Sequence, residues 1–260
     1  MPLYKTKGIV LRTIKLGEAD KIITVLSNSR GKVKAVAKGV RRTTSKFGGR
    51  LEPFTYLDLL LYEGRELDII TQVEIISSFR EIREDFDKVG YGSAMLELVD
   101  RVALEGERES KLFKLLLAAL KALSGARDNL QSLLVAFDIK LMAFSGYLPN
   151  LFNCVICGAT PGTKKITFSC EWGGILCERC AVADLNSLLI SFSVANLLDR
   201  LLKTKMEDSP GVEMTKVERK QLFDTVQAYV DYHVQARLRG REYLSKSARG
   251  KSEGENRKPR

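Results

Sequence analysis

The chain has 260 residues, of which 45% are hydrophobic and 28% are charged, and its formal net charge is +10. These values are typical of a globular protein of about two or three small domains with a sizeable core. The longest apolar run, 115–120, is too short to cross a bilayer, and the first residues carry no apolar signal-peptide core. We therefore expect a cytoplasmic protein without membrane contact, in which cysteines stay reduced.

The charge is unevenly distributed along the chain. Residues 1–50 contain thirteen Lys and Arg against Glu18 and Asp20, a net charge of +11. Residues 234–260 have a net charge of +6, which leaves −7 for the middle of the chain. This asymmetry indicates that the basic head meets a polyanion, most commonly nucleic acid, with anionic lipid or a merely solvated surface as alternatives.

The first eighty residues read as strands without an intervening helix. Short β-branched or alternating runs predict strands at 8–13, 21–26, 31–39, 54–62 and 67–79. Five strands in so short a segment indicate a small closed barrel, and an OB-type barrel is the leading option. The chain as a whole is predicted to be a multi-domain α+β protein.

Basic residues follow the outer face of the predicted barrel. In the third strand, period two places Lys32, Lys34 and Lys38 on one face and small apolar residues on the other. Small barrels bind single strands through a basic groove and aromatic faces. The candidate DNA-binding residues are Lys5, Lys7, Arg12, Lys15, Lys21, Lys32, Lys34, Lys38, Arg41, Arg42, Lys46, Phe47 and Arg50.

The segment 41–50 is polar and contains Gly48 and Gly49, so it predicts an exposed loop between the third and fourth strands. Phe47 lies within this loop, where a core position is not required. We therefore expect Phe47 to offer a face on which a base can stack.

Beyond residue 80 the hydrophobic period becomes helical. Apolar spacing predicts helices at 112–123 and 130–144, one opened by Ser193, and a last one starting near Thr215. We expect these helices to form one bundle interrupted by a metal-binding insertion. The predicted segments are a barrel at 1–80, helices at 81–149, an insertion at 150–182, helices at 183–244 and a basic disordered tail at 245–260.

Four cysteines form two C-x-x-C pairs, Cys154 with Cys157 and Cys177 with Cys180. Two such knuckles facing each other suit a tetrahedral four-thiolate Zn²⁺ site, and disulfides or free thiols are the alternative. A site closed by four thiolates leaves no position for substrate, so one structural Zn²⁺ is expected. Cys170 breaks the pattern and is expected to be a small buried residue on a strand, with a substitute ligand or a redox role as the alternative.

Catalytic signatures are missing from the sequence. The one histidine, His233, falls on the apolar side of the last predicted helix, and no phosphate-binding loop or nucleophile elbow is present. We predict that the protein is not an enzyme.

Motifs from both ends of the chain resemble the RecO family of bacterial recombination and repair proteins. The barrel region resembles that family in GIVL at 8–11, GEADKI at 17–22, Gly31, AKGVRR at 37–42, Ser45 and LEPF at 51–54. The cysteine quartet around Gly173 and Gly174 resembles the family's zinc finger, and YVDYH at 229–233, Leu238 and YL at 243–244 resemble its last helix.

The resemblance implies a DNA repair and homologous recombination mediator. Members of this family bind single- and double-stranded DNA, anneal complementary strands and partner with RecR. They contact the acidic C-terminal tail of single-stranded DNA-binding protein and help load RecA, and the resemblance implies a place at the bacterial nucleoid. A zinc-containing RNA- or ribosome-binding factor with an OB-fold is the alternative, and a zinc hydrolase is the third hypothesis.

Overall fold

The computed structural model describes residues 2–162 and 165–244. The chain divides into two compact units, Met1–Gly125 and Ala126–Arg260. The first three helices therefore group with the barrel, whereas the sequence places a boundary after residue 80. The predicted tail at 245–260 lies outside the described residues, and the remaining predicted boundaries stay predictions.

A closed five-stranded barrel forms most of the first unit. Its strands are β1 (Leu3–Leu16), β2 (Asp20–Ser27), β3 (Gly31–Ala37), β4 (Tyr56–Tyr62) and β5 (Asp68–Ser77). They close in the order β1-β2-β3-β5-β4, with β3 and β5 parallel and every other pair antiparallel. This arrangement confirms the predicted OB-like barrel.

Alternation along the strands fills the interior of the barrel. In β3, Val33, Ala35 and Ala37 are buried while the intervening residues are half-buried. Gly8 allows β1 and β2 to approach, because a Cβ at this position would lie 2.2 Å from Val25 Cγ1. The seam between β3 and β5 is short, since only Ala35 and Val36 pair with β5.

Three helices complete the first unit. They are α1 (Arg80–Arg83), α2 (Phe86–Val102) and α3 (Ser110–Gly125). The Asp85 side chain caps α2 by accepting from the backbone N–H of Lys88. A strap of seven residues, 103–109, joins α2 to α3 and runs beside the barrel.

The second unit contains the longest helix of the described chain. Its helices are α4 (Leu130–Phe144), α5 (Phe192–Lys203) and α6 (Lys216–Val234), and residues 239–244 are again helical. Ser191 caps α5, and Thr215 and Glu218 form a capping box at the start of α6. The predicted starts near Ser193 and Thr215 are therefore correct to within two residues. Among the described residues, no helix is both long and apolar enough to cross a bilayer.

A small sheet lies between α4 and α5 in sequence. Its strands are β6 (Lys165–Ser169), β7 (Gly174–Leu176) and β8 (Leu188–Ser191), in the order β7-β6-β8. The free edge of β8 meets Gln221 of α6. The amide of this side chain donates to Leu189 O (3.1 Å) and accepts from Ser191 N–H (3.2 Å).

A buried ion pair joins α4 to the last helical segment. The Asp138 carboxylate contacts the Arg241 guanidinium, and each side chain is only 2% exposed. Burial raises the pKa of Asp138 from 3.8 to about 6, although the charge of Arg241 opposes this shift. The pair fixes the end of the described chain onto the helical core.

Candidate metal centre and nucleic-acid interface

Four cysteine sulfurs come together in the second unit. The Sγ atoms of Cys154, Cys157, Cys177 and Cys180 all lie within 4.8 Å of one another, and Cys157 and Cys177 are 3.7 Å apart. A tetrahedral zinc site with bonds of about 2.3 Å has sulfurs about 3.8 Å apart, whereas a disulfide needs about 2.0 Å. The spacing therefore fits a metal ion, and the cysteines are not paired as disulfides.

Backbone hydrogen bonds shape the two cysteine knuckles. In the first, Gly158 N–H donates to Cys154 O, and Cys154 N–H donates to Ala159 O, each at 2.8 Å. In the second, the N–H groups of Cys180 and Ala181 donate to Cys177 O at 3.0 and 2.9 Å. Each tight turn holds its two thiols on one side, so that the four sulfurs face one another at a spacing that suits one ion.

The thiols differ in how readily they ionise. Burial raises the pKa of Cys154, but N–H donors from Cys157, Cys177 and Ile156 outweigh it and lower this pKa to about 6. Burial raises the pKa of Cys180 to about 12, and the neighbouring thiols add to that shift. A bound cation stabilises all four groups as thiolates, because its positive charge offsets the repulsion among four neighbouring negative charges.

Cys170 and His233 lie outside the quartet. Burial, together with the charges of Asp184 and Asp231, raises the pKa of Cys170 to about 11, so this thiol stays protonated. Cys170 follows β6 in a turn rather than lying on a strand, and it is half-buried, so the prediction of a buried strand residue is wrong. His233 packs against the rings of Tyr147 and Tyr229, each with a centroid distance of 4.4 Å, and burial lowers its pKa. This aromatic environment suits a neutral packed imidazole.

The end of β1 and the turn after β3 carry a group of exposed cations at one end of the barrel, which we call the basic end. Its members are Lys15, Lys38, Arg41 and Arg42. Arg41 joins the turn after β3 to the turn between β1 and β2, since its N–H donates to Ala19 O (2.9 Å) and its Nη1 donates to Gly17 O (3.0 Å). Asp20 strengthens the junction by accepting from Gly39 N–H (2.7 Å). Within the described chain, none of the four makes an ion pair with a carboxylate.

Other predicted cations are already paired with acids. Arg12 Nε lies 2.8 Å from Asp100 Oδ2, and Lys32 Nζ donates to Asp100 O (2.6 Å). Lys34 Nζ lies 2.5 Å from Glu105 Oε1 and lowers the pKa of that carboxyl through the hydrogen bond. Lys21 is likewise paired with Glu52 at 2.9 Å. Fewer cations are therefore available to bind phosphates than the sequence indicates.

Phe47 lies in the core of the barrel, not on its surface. Its side chain is 2% exposed and packs with the buried residues of the barrel interior. The expectation of an exposed stacking ring is therefore wrong, because the loop turns inward to close one end of the barrel. Its neighbours Lys46 and Arg50 donate to Thr71 O (3.1 Å) and Val73 O (3.5 Å), which covers the free edge of β5.

Lys5 and Lys7 stand on the outer face of β1, opposite Leu60 and Asp58 of β4. Both side chains are exposed, and neither makes an ion pair among the described residues. They belong to a different part of the barrel surface from the basic end, since Lys15 lies near the opposite end of β1.

The second unit also contains an apolar groove that the sequence did not single out. Its volume is about 600 Å³, and α4, α5 and the segment between α4 and the first knuckle line it. Phe144, Leu148 and Phe152 are 53%, 65% and 56% exposed. Lys203 Nζ lies 5.6 Å from the ring centroid of Phe152, which adds a cation to the rim. The sequence alone does not show that these large apolar side chains are exposed, because their exposure depends on how the helices pack.

Known proteins match the chain along nearly its whole length. Residues 1–79 match the family described as recombination protein O N terminal, and residues 83–242 match recombination protein O C terminal. The DNA repair protein RecO of Desulforamulus reducens is 34% identical over 246 residues, 95% of each chain. Those of Frankia casuarinae and a Nocardioides species are each 39% identical over 250 residues, covering 95% and 94% of this chain and 100% of theirs.

Proposed function

Since this chain belongs to the recombination protein O family of DNA repair proteins, we propose that it binds single- and double-stranded DNA and anneals complementary strands. The observation that carries this proposal is the basic end of the barrel. Four exposed cations without carboxylate partners lie at the end of β1 and on the turn after β3, which hydrogen bonds join to the turn between β1 and β2. Such a surface binds phosphates irrespective of base sequence.

Annealing follows from the same charges. Two complementary strands repel each other through their phosphates, and a surface that neutralises both strands lowers the cost of bringing them together. No covalent step is required, so we propose a mediator that acts without catalysis. We propose that the protein fulfils this mediator role in homologous recombination only by binding and releasing DNA.

The metal centre has a structural part in this proposal. We assign Zn²⁺ to the quartet Cys154, Cys157, Cys177 and Cys180, because four thiolates suit this ion and complete its coordination. When bound, the ion crosslinks the two knuckles and supplies stability rather than chemistry. The small sheet β6–β8 is then anchored at the end of β7, next to the second knuckle.

We further propose partners from the family resemblance. They are RecR, the acidic tail of single-stranded DNA-binding protein and, indirectly, RecA. The apolar groove beside Phe152 suits a short peptide that carries both apolar and acidic side chains. Its lining is mostly apolar and includes Lys140 and Lys203, and the exposed pair of Lys203 with Asp199 can be exchanged for an acidic side chain of the peptide. The groove is therefore our candidate for the site of the acidic tail.

Strand annealing tests the proposed function. We expect the double reversal K38E/R42E to slow annealing of complementary single strands and to weaken single-strand binding. The matched control is K114E/K121E, which makes the same charge change on exposed positions of α3. The slope of log K against log salt should fall in size by about 0.7 for each phosphate that the variant no longer neutralises.

The result that counts against the proposal is equal annealing by both double variants and the wild type. Binding to RNA and DNA strands of equal length, measured at matched salt, tests the alternative of an RNA- or ribosome-binding factor. A clear preference for RNA would favour that alternative.

A further inference from the structure

The strap lies against the barrel where the sheet has an open edge. Only Ala35 and Val36 of β3 pair with β5, so the start of β3 is left without a strand on that side. The strap takes this edge: Lys32 N–H donates to Leu104 O (3.1 Å), and Gly106 N–H donates to Lys32 O (3.3 Å). The backbone of the strap therefore extends the sheet and is firmly placed.

Gly31 is required for this close approach. It has a φ of +62°, and a Cβ at this position would lie 1.9 Å from Glu107 O. The start of β3 and the strap are thus fitted to each other at the level of the backbone. This fixes which acidic side chains of the strap can reach the barrel.

One acidic side chain of the strap reaches a predicted DNA-binding cation. Glu105 Oε1 lies 2.5 Å from Lys34 Nζ, and Lys34 shares the outer face of β3 and its continuation with Lys38 of the basic end. The side chains of Lys34 and Glu105 are 35% and 55% exposed, so water and salt reach the pair. Exposed pairs of this kind are weak and exchange readily with other ions.

A second acid nearby is held differently. The side chains of Asp100 and Lys32 are 16% and 13% exposed, and the Asp100 backbone carbonyl also accepts from Lys32. Lys32 is consequently committed to the structure of the barrel. Lys34 is the cation of β3 whose partner can be replaced.

We propose that Glu105 is a built-in competitor for the nucleic-acid surface. In the free protein its carboxylate occupies Lys34, and a phosphate of bound nucleic acid displaces it and takes its place. The strap backbone stays paired with β3 while the Glu105 side chain swings away. This inference rests on the proposed function, and it assigns to the strap the role of lowering the affinity for single strands.

The test measures single-strand DNA binding by fluorescence anisotropy over a series of salt concentrations. E105Q frees Lys34, so we expect about fivefold tighter binding near 0.1 M salt and a slope steeper by about 0.7, as for one more neutralised phosphate. The matched control is E107Q, which removes the same charge from the same strap at a position without an ion pair to the barrel among the described residues. In a K34Q background, E105Q should have no effect.

The outcomes separate the two proposals. Equal gains for E105Q and E107Q would show a general charge effect and overturn the role of Glu105, and so would a gain that survives in K34Q. If the wild type binds and K38E/R42E binds weakly while E105Q is unchanged, the competitor inference alone fails. If neither the wild type nor E105Q binds single strands, the proposed function fails, and the inference fails with it.

Discussion

Removing Arg241 should strongly destabilise the second unit. Arg241→Ala leaves Asp138 without the guanidinium that it contacts, at a position where the carboxylate is 2% exposed. Breaking a buried pair by removing one partner costs about 3–5 kcal/mol, because an uncompensated charge is left in the interior. Replacing both partners, as in D138L/R241M, should be neutral or stabilising, by up to about 4 kcal/mol.

The pH dependence of this cost follows from Asp138. Its pKa is about 6 in the folded chain and 3.8 ordinarily, so the folded state keeps a proton that the unfolded state has released. The contribution of this carboxyl to stability is therefore full below pH 3.8 and is lost as the pH rises through about 6. Without Arg241 nothing nearby opposes the shift as strongly, and the pKa rises further. We expect R241A to be closer to the wild type at about pH 5 than at about pH 8.

Denaturant unfolding followed by tryptophan fluorescence measures these effects. Trp172 is the single tryptophan of the chain and lies in the second unit, so its emission reports that unit. The control is Lys203→Ala, which breaks the exposed pair with Asp199 and should cost no more than about 1 kcal/mol. The reasoning is refuted if R241A costs as little as K203A, or if D138L/R241M is as unstable as R241A.

Two further predictions concern the metal centre and the barrel. Cys157→Ser should lower the zinc content and the stability of the second unit, and DNA binding should fall only as a consequence. Metal analysis, tryptophan-detected unfolding and anisotropy measure these three properties. A variant with wild-type stability that does not bind DNA would contradict this prediction. Phe47→Ala should destabilise the barrel by about 3–5 kcal/mol through the cavity it leaves. Circular dichroism melting checks it, and wild-type stability with weaker DNA binding would instead support a stacking role.

Much of the fold is readable from local patterns in the sequence. Short β-branched or alternating runs predicted the five barrel strands, and Ser191 and Thr215 cap helices close to where the apolar period begins. The cysteine spacing likewise predicted the quartet, because two short knuckles need few other residues to bring four sulfurs together.

The misjudged positions depend on interactions between distant segments. Phe47 lies in a polar, glycine-containing stretch, and nothing local shows that the loop turns its ring into the barrel. The neutralisation of Lys34 depends on Glu105, which is seventy-one positions further along and reaches it only because the strap pairs with β3. A charge pattern counts cations, but it does not show which of them are already satisfied within the fold.

The amide of Gln221 has a consequence for the behaviour of the protein at high concentration. By donating to Leu189 O and accepting from Ser191 N–H, it fills the two places where one residue of a neighbouring parallel strand would hydrogen bond. An open sheet edge is a template for strands of other molecules and hence for aggregation. Gln221 therefore occupies two backbone groups at the edge of β8 to which a strand of another molecule would otherwise hydrogen bond.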